Sequence, residues 1–128
     1  MAEKEIKNLG SPAETSWGYA QGVRVGDTVY LSGQTGGNAD GTFANLETQM
    51  RNAYAKIAKV LAMYNANMDN VVEEIIYRRA DITDWRVVAA KVRKEIYGGV
   101  PQVAATVVQI PAIGSGDRLI EIQCTAKL

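Results

Sequence analysis

Hydrophobic side chains recur at helical spacing in the middle of the chain. From Leu46 to Tyr64 the apolar positions are separated by three or four residues, so they line one face of an α-helix. Asn45 is placed to cap the first turn, because its side-chain oxygen can accept a backbone N–H. The spacing therefore predicts an amphipathic helix that ends near residues 65–67.

A second stretch has the same periodicity. Apolar residues from Trp85 to Ile96 again follow steps of three and four. Thr83 or Asp81 is placed to cap this helix, and Gly98-Gly99 is placed to end it, because glycine readily adopts the left-handed conformation found just after a helix. The pattern predicts a second amphipathic helix.

Runs of β-branched residues mark strands in the rest of the chain. The segment GVRVGDTVYLSGQ indicates a hairpin that turns at Gly26-Asp27. NVVEEIIYRRA, QVAATVVQI and RLIEIQCTA indicate three further strands. In the last of these the side chains alternate between two faces. One face carries Ile120, Ile122, Cys124 and Ala126, and the other carries Leu119, Glu121, Gln123 and Thr125.

The order of the elements is strand, strand, helix, strand, helix, strand, strand. It predicts an α+β domain in which both helices cover one face of a mixed sheet. The opposite face mixes polar side chains with apolar ones such as Leu119. Such a face is too apolar to remain in water and too polar for the core of a monomer. We therefore expect several copies to pack together as a homo-oligomer.

Length and charge narrow the class of protein. The 128 residues are typical of one domain, and we expect a single domain over residues 1–128. Fourteen Lys and Arg side chains balance fourteen Asp and Glu, so binding to nucleic acid is not expected. No apolar run approaches the roughly 20 residues that span a bilayer, and the N-terminus lacks the apolar segment of a signal peptide. These features predict a cytoplasmic protein with no membrane partner.

Residue types limit the available chemistry. The chain has no histidine and one cysteine, Cys124, which excludes disulfides within the chain, Cys/His zinc sites, and Ser-His-Asp or Cys-His catalysis. We expect no metal and no cofactor. Cys124 falls on the helix-covered side of its strand, where we interpret it as a small buried hydrophobic residue rather than a nucleophile. Carboxylates, tyrosines, lysines, water and backbone dipoles remain for proton transfer.

The residues Ser32-Gly33-Gln34 end the strand VYL with small and polar groups. Two interpretations are open. A glycine at this point is typical of a β-bulge. Alternatively, Ser32 and Gly33 offer backbone N–H groups and a hydroxyl donor to a ligand, since glycine permits close approach.

Several segments, in order, resemble the Rid (YjgF-like) family of reactive intermediate deaminases. They are WGYAQGVRVGDTVYLSGQTG, TQMRNAYAKIAKVL, NVVEEIIYRRADITDW and LIEIQCTA. No single segment is specific, but their order and spacing over nearly the whole chain are. The resemblance implies a chorismate-mutase-like α+β subunit and a homotrimer whose sheets form a central barrel. It further implies a hydrolase that converts small enamines and imines to ketones and ammonia in clefts between subunits.

The resemblance also assigns site residues. It places the family's tyrosine at Tyr19, its strand-end pair at Ser32 and Gly33, and its water-activating glutamate at Glu121. The strand pattern alone favours interpreting Glu121 as a polar barrel residue paired with Lys or Arg of another subunit, and the family match brings the two interpretations level. Tyr19 is equally an aromatic cap on the core. Trp17, just before Tyr19, adds an apolar wall in this interpretation.

Two family residues are replaced. The arginine that binds the substrate carboxylate corresponds to Val103 in PQVAATV, and an asparagine of the second helix corresponds to Ala89. Losing a charge-assisted pair costs about 1.5 to 3 kcal/mol, so we expect a substrate other than 2-aminoacrylate, one that is larger or less anionic. The candidates for a substitute cation are Arg24, Arg51, Arg78 and Arg79. The alternative function is a non-catalytic small-molecule binding protein on the same fold.

Overall fold

The computed structural model describes residues 3–128 and contains two α-helices and seven strands. Each strand and helix of the predicted order is present, and the short strands β1 and β4 are additional. The elements are β1 (Glu5–Lys7), β2 (Gly22–Val25), β3 (Thr28–Leu31), β4 (Gln34–Thr35), α1 (Leu46–Ala62), β5 (Val71–Arg79), α2 (Trp85–Tyr97), β6 (Ala104–Ile110) and β7 (Ile120–Lys127).

The strands form one mixed sheet. Its order is β1-β2-β3-β7-β5-β6, and β4 pairs with β7 beyond the end of β3. Neighbouring strands are antiparallel except β5 and β6, which are parallel and joined through α2. A parallel pair requires such a long crossover. In the strand order of the sheet, β7 is central and β6 is an edge strand.

Helix α1 begins as predicted and ends earlier than predicted. The Asn45 side chain accepts the N–H of Thr48 at 3.0 Å, which confirms the cap. The helix ends at Ala62 because the backbone tightens there, with the Met63 N–H bonded to the Val60 carbonyl, and Asn65 then takes a left-handed φ of 57°.

The predicted cap of helix α2 is wrong. Asp84, not Thr83 or Asp81, immediately precedes the helix, and no side chain caps it. The Asp81 carboxylate instead forms an ion pair with Arg79 in the same turn, at 2.6 Å. This ion pair competes with capping of the helix. The predicted stop is confirmed, since Gly98 has a left-handed φ of 73°.

Both helices cover the same face of the sheet, as predicted. Ile120, Ile122, Cys124 and Ala126 of β7 lie in the core and are at most 1% exposed. Leu119 was expected on the opposite face, but it precedes β7 and packs against the core instead. The interpretation of Cys124 as a buried hydrophobic residue is confirmed. Burial, reinforced by the charge of Glu74, raises the pKa of its thiol to about 12.

A buried carboxylate joins both helices to the sheet. Glu74 of β5 is completely buried and accepts hydrogen bonds from Tyr54 Oη of α1 at 2.9 Å and Tyr97 Oη of α2 at 2.6 Å. Arg93 Nε of α2 completes the cluster. Burial and neighbouring negative charge raise the pKa of both tyrosines, which keeps them protonated as donors.

The other face of the sheet is mixed in character, as predicted. It carries side chains that alternate with the buried ones, namely Tyr30, Ile75, Tyr77, Val108 and Gln123. Tyr30 is 54% exposed, and no helix of residues 3–128 covers this face. We call it the open face. In the same part of the chain, no helix is long and apolar enough to cross a bilayer.

Close contact between β4 and α1 gives a test of the fold. A Cβ on Gly36 would stand 1.9 Å from the Gln49 carbonyl oxygen, which is backbone and cannot rotate away. Gly36→Ala should therefore lower the free energy of unfolding by at least about 3 kcal/mol, as measured by urea denaturation. Gly37→Ala is the matched control, because its Cβ would meet only the Phe43 ring at 3.2 Å. Equal stability of the two variants would contradict this packing.

Candidate functional site

Strand pairing places a β-bulge at Ser32-Gly33. Tyr30 pairs with Thr125 and Gln34 pairs with Ile122. The chain from β3 to β4 thus advances by four residues while β7 advances by three, so one residue is extra. The bulge interpretation is correct, and it is compatible with a site, because bulges often re-aim groups beside active sites.

A pocket opens at this bulge. Its volume is about 420 Å³, within the usual range of small-molecule sites. Five of the seven predicted site residues line it. The lining residues are Ala13, Trp17, Tyr19, Ser32, Gly33 and Glu121. Residues that lie far apart in the sequence therefore meet in one pocket.

Among residues 3–128, Glu121 supplies the only carboxylate that lines this pocket. It is half-buried on β7, and its side chain lies directly on Gly33, where a Cβ would be 2.9 Å from its carboxyl carbon. Within residues 3–128 the carboxylate has no hydrogen-bond or ion-pair partner. Gly33 is thus needed to admit the Glu121 side chain, and that carboxylate is available to a ligand.

Ser32 contributes less than expected. Its N–H is bonded to the Gln21 carbonyl at 2.9 Å, and its Oγ donates to the Ala20 carbonyl at 2.6 Å. Both of its donors are therefore used within the fold. The Gly33 N–H, which has no hydrogen bond within the described chain, is the donor of this pair that can serve a ligand.

Two buried glutamines support the pocket, and the sequence reasoning missed both. Gln34 Nε2 donates to Gln21 Oε1 at 2.6 Å, and Gln21 Nε2 lies 3.4 Å from Tyr19 Oη. Both amides are less than 7% exposed. They connect the strand after the bulge to Tyr19, so they orient its ring at the pocket. Their place within the segment WGYAQGVRVGDTVYLSGQTG was the available signal.

Glu14 positions the Trp17 wall, and no sequence pattern distinguishes it from the other glutamates. Its carboxylate accepts the N–H groups of Leu9 and Gly10, each at 2.8 Å. Burial acts to raise the pKa of Glu14, but these amide bonds and the Gln21 side chain outweigh it and lower the pKa. Glu14 begins a π-helical turn, Glu14–Gly18, that holds Trp17 at the pocket with 80% of its surface exposed.

Val103 and Ala89 lie away from this pocket within one chain. Val103 lines a separate depression beside the end of α2, and Ala89 lies in a groove between α2 and β6. Strand pairing puts Ala104 opposite Glu73, and Glu121 opposite Tyr77. The start of β6 is thus four residues along and two strands across from Glu121, on the order of 16 Å away.

The four arginines considered as substitute cations are bound elsewhere in the chain. Arg24 lies near Glu5, Arg51 near Glu47 and Glu95, and Arg79 near Asp81. Arg78 is 8% exposed, donates to the Ile82 carbonyl at 3.0 Å and stacks 5.3 Å above Trp85. None lines the Glu121 pocket. Residues 3–128 also hold no cluster of three or more potential metal ligands.

The geometry defines a class of protein: an α+β fold with two helices on a mixed sheet and a pocket of small-molecule size at a strand bulge. A sequence profile described as Endoribonuclease L-PSP matches residues 11–128. The chain therefore belongs to this family, which includes the YjgF/Rid proteins. No curated protein sequence matches it.

Solved structures share the fold over almost the whole chain. A member of the YjgF/YER057c/UK114 family from Mycobacterium tuberculosis is 28% identical, with a TM-score of 0.85 over 98% of this chain and 100% of its own. The Rid-family protein YyfA from Yersinia pestis is 25% identical, with a TM-score of 0.83 over the same shares. RidA from an Antarctic Psychrobacter is 24% identical, with a TM-score of 0.81 and equal coverage.

Removing the Glu14 carboxylate should destabilise the pocket wall in a pH-dependent way. The folded-state pKa is lowered from 4.5, so the ionised group stabilises the fold above that pH and loses this effect as the pH falls through the folded value. Glu14→Gln should therefore lower the Tm at neutral pH, and the difference from wild type should shrink below about pH 4.5. Thermal denaturation across this range measures both.

Exposed Glu3 provides the control for this comparison. Glu3→Gln should have the Tm of the wild type throughout. A Glu14→Gln deficit that is the same at every pH would contradict the role of its charge.

Proposed function

We propose that this protein is a Rid-type deaminase that hydrolyses a small imine or enamine in a cleft between copies of the chain. The observation that carries the proposal is the unpaired Glu121 carboxylate, which lies against Gly33 in a pocket bounded by Trp17 and Tyr19. Family membership supports it, and so does the match of Tyr19, Gly33 and Glu121 to the positions that the family resemblance assigns.

Two copies are needed to complete the proposed site. Val103 stands where the family resemblance implies the substrate-binding arginine, yet it is far from Glu121 in the same chain. In a homotrimer packed through the open faces, the β6 edge of one copy would approach the Glu121 pocket of the next. The mixed open face favours such packing, because Ile75, Tyr77 and Val108 would otherwise remain in water.

Imine hydrolysis requires a general base and few other catalytic groups. Glu121 would take a proton from a water molecule as its oxygen attacks the carbon of a protonated C=N bond, giving a neutral carbinolamine. The same group would then give that proton to nitrogen and take the hydroxyl proton in its place, so that the C–N bond breaks and a ketone and ammonia leave. The Gly33 N–H would orient the oxygen that arrives as water and departs as the carbonyl. An enamine would first take a proton on carbon.

The substrate should differ from 2-aminoacrylate. Val103 cannot fork onto a small carboxylate, and Ala89 is smaller than the asparagine it replaces. Exposed Trp17 offers a flat apolar surface beside Glu121. These features favour a larger, ring-derived substrate.

A non-catalytic binding protein is the alternative, and it would use the same pocket without turnover. RNA cleavage, which the family description suggests, has less support. The chain has no histidine and no net charge, and no basic residue in the described part of the chain lines the Glu121 pocket.

Replacing Glu121 tests the enzyme proposal. Glu121→Gln keeps the size of the side chain but cannot accept the proton, so ammonia release from freshly generated imines should fall at least about 100-fold. The panel should range from iminopropionate to aromatic imines. Asp27→Asn, in the distant β2–β3 turn, is the control and should keep full activity.

Two outcomes would count against it. Equal turnover by Glu121→Gln and wild type would remove Glu121 from the mechanism. No turnover of any imine, with a ligand still bound in the pocket, would establish the binding protein instead.

Disrupting the open face tests the assembly. The wild-type chain of 13.9 kDa should have a molar mass of about 42 kDa, three times the subunit mass, by light scattering. Ile75→Glu places a charge in the middle of the open face and should dissociate the assembly. Val87→Glu, on an exposed position of α2, should leave it intact. A monomeric wild type would overturn the two-copy site.

A further inference from the structure

A second groove lies between helix α2 and the edge strand β6. Its volume is about 190 Å³, and its floor is formed by Ile76 of β5, Ala89 of α2 and Val107 of β6. The groove is open because small side chains, Ala89 and Ala105, line it from helix and strand. Its floor is apolar, so it suits the hydrocarbon part of a ligand.

Trp85 and two arginines of α2 also line this groove. Arg93 donates its Nε–H to the completely buried Glu74, so its charge is compensated and its position is fixed. Arg86 forms no ion pair with any residue from 3 to 128. It therefore adds an uncompensated positive charge beside an indole ring and an apolar floor.

We propose that this groove binds the acid end of a small organic anion with a flat apolar body, with Arg86 holding the carboxylate and Trp85 packing on the body. Charge complementarity selects an anion, because among the described residues that line the groove the unpaired charge is the Arg86 guanidinium, which can bind a carboxylate bidentately. The aromatic wall selects a flat body rather than an inorganic anion.

The groove gives a reason for the loss of arginine at Val103. In the two-copy cleft, Arg86 of α2 would bind the substrate carboxylate in place of the arginine that Val103 replaces. It would do so from the opposite side of Ala89. The acid group of the substrate would then be farther from the reacting carbon than in 2-aminoacrylate. This assignment to the substrate rests on the proposed function, but binding in the groove requires only one chain.

Phenylacetate and its neutral analogue phenylacetamide are suitable probes. In an NMR titration of the whole chain, phenylacetate should shift the signals of Trp85 and of the α2 and β6 amides, and it should bind about tenfold more tightly than the amide. Arg86→Gln should weaken phenylacetate binding about tenfold and leave phenylacetamide unchanged. Lys94→Gln removes a charge from the exposed surface of the same helix and should change neither.

Three results would overturn the inference: equal binding of phenylacetate by Arg86→Gln and wild type, equal affinity for the two probes, or signal shifts outside the groove. Repeating the titration with Glu121→Gln separates this inference from the proposed reaction. If phenylacetate binding depends on Arg86 but no imine is turned over, only the proposed hydrolysis is contradicted. If imine turnover depends on Glu121 but phenylacetate binding does not depend on Arg86, only the groove proposal is contradicted.

Discussion

The buried carboxylate of Glu74 is the constraint on which the arrangement of layers depends. It lies on β5, and its oxygens are held by Tyr54 from α1 and by Tyr97 and Arg93 from α2. A buried charge that loses its partners costs about 3 to 5 kcal/mol, so the two helices can dock on the sheet only in positions that satisfy it. The cluster fixes α2 against β5 and, with it, the groove beside β6.

Side chains along β7 alternate between the two faces of the sheet, so packing on one face determines which residues lie on the other. Cys124 and Ile122 point into the core under the helices, so Glu121 between β4 and β5 must point away from it. The bulge at Ser32-Gly33 brings backbone without a side chain against that carboxylate. Burial of alternate side chains on one face of the sheet therefore exposes a carboxylate on the other.

The sequence predicted those features that depend on local patterns. The cap at Asn45, the turn at Gly26-Asp27 and the two faces of β7 follow from residue type and period, and the structure confirms them. The family motifs assigned Tyr19 and Glu121 to one site. Both line the same pocket, although about a hundred residues separate them in the sequence.

What the sequence could not predict depends on long-range contacts. In NVVEEIIYRRA, nothing local distinguishes buried Glu74 from exposed Glu73. The partners of Glu14 are backbone N–H groups of the preceding turn. Asp81 does not cap α2, because its carboxylate pairs with Arg79. The separation of Val103 from Glu121 appears only when the strand register is known.

Trp17 can compensate in energy for the arginine that Val103 replaces. A lost charge-assisted pair costs about 1.5 to 3 kcal/mol, whereas removing apolar surface from water gains about 25 cal/mol per Å². Covering roughly 100 Å² of ring and indole surface would therefore offset the loss. Because Trp17 is 80% exposed in the single chain, that area is available to a ligand. Under the proposed function, contact with the indole would add to the ion pair proposed for Arg86, and both would favour flat, larger acids over small ones, since only larger molecules can cover enough of the indole.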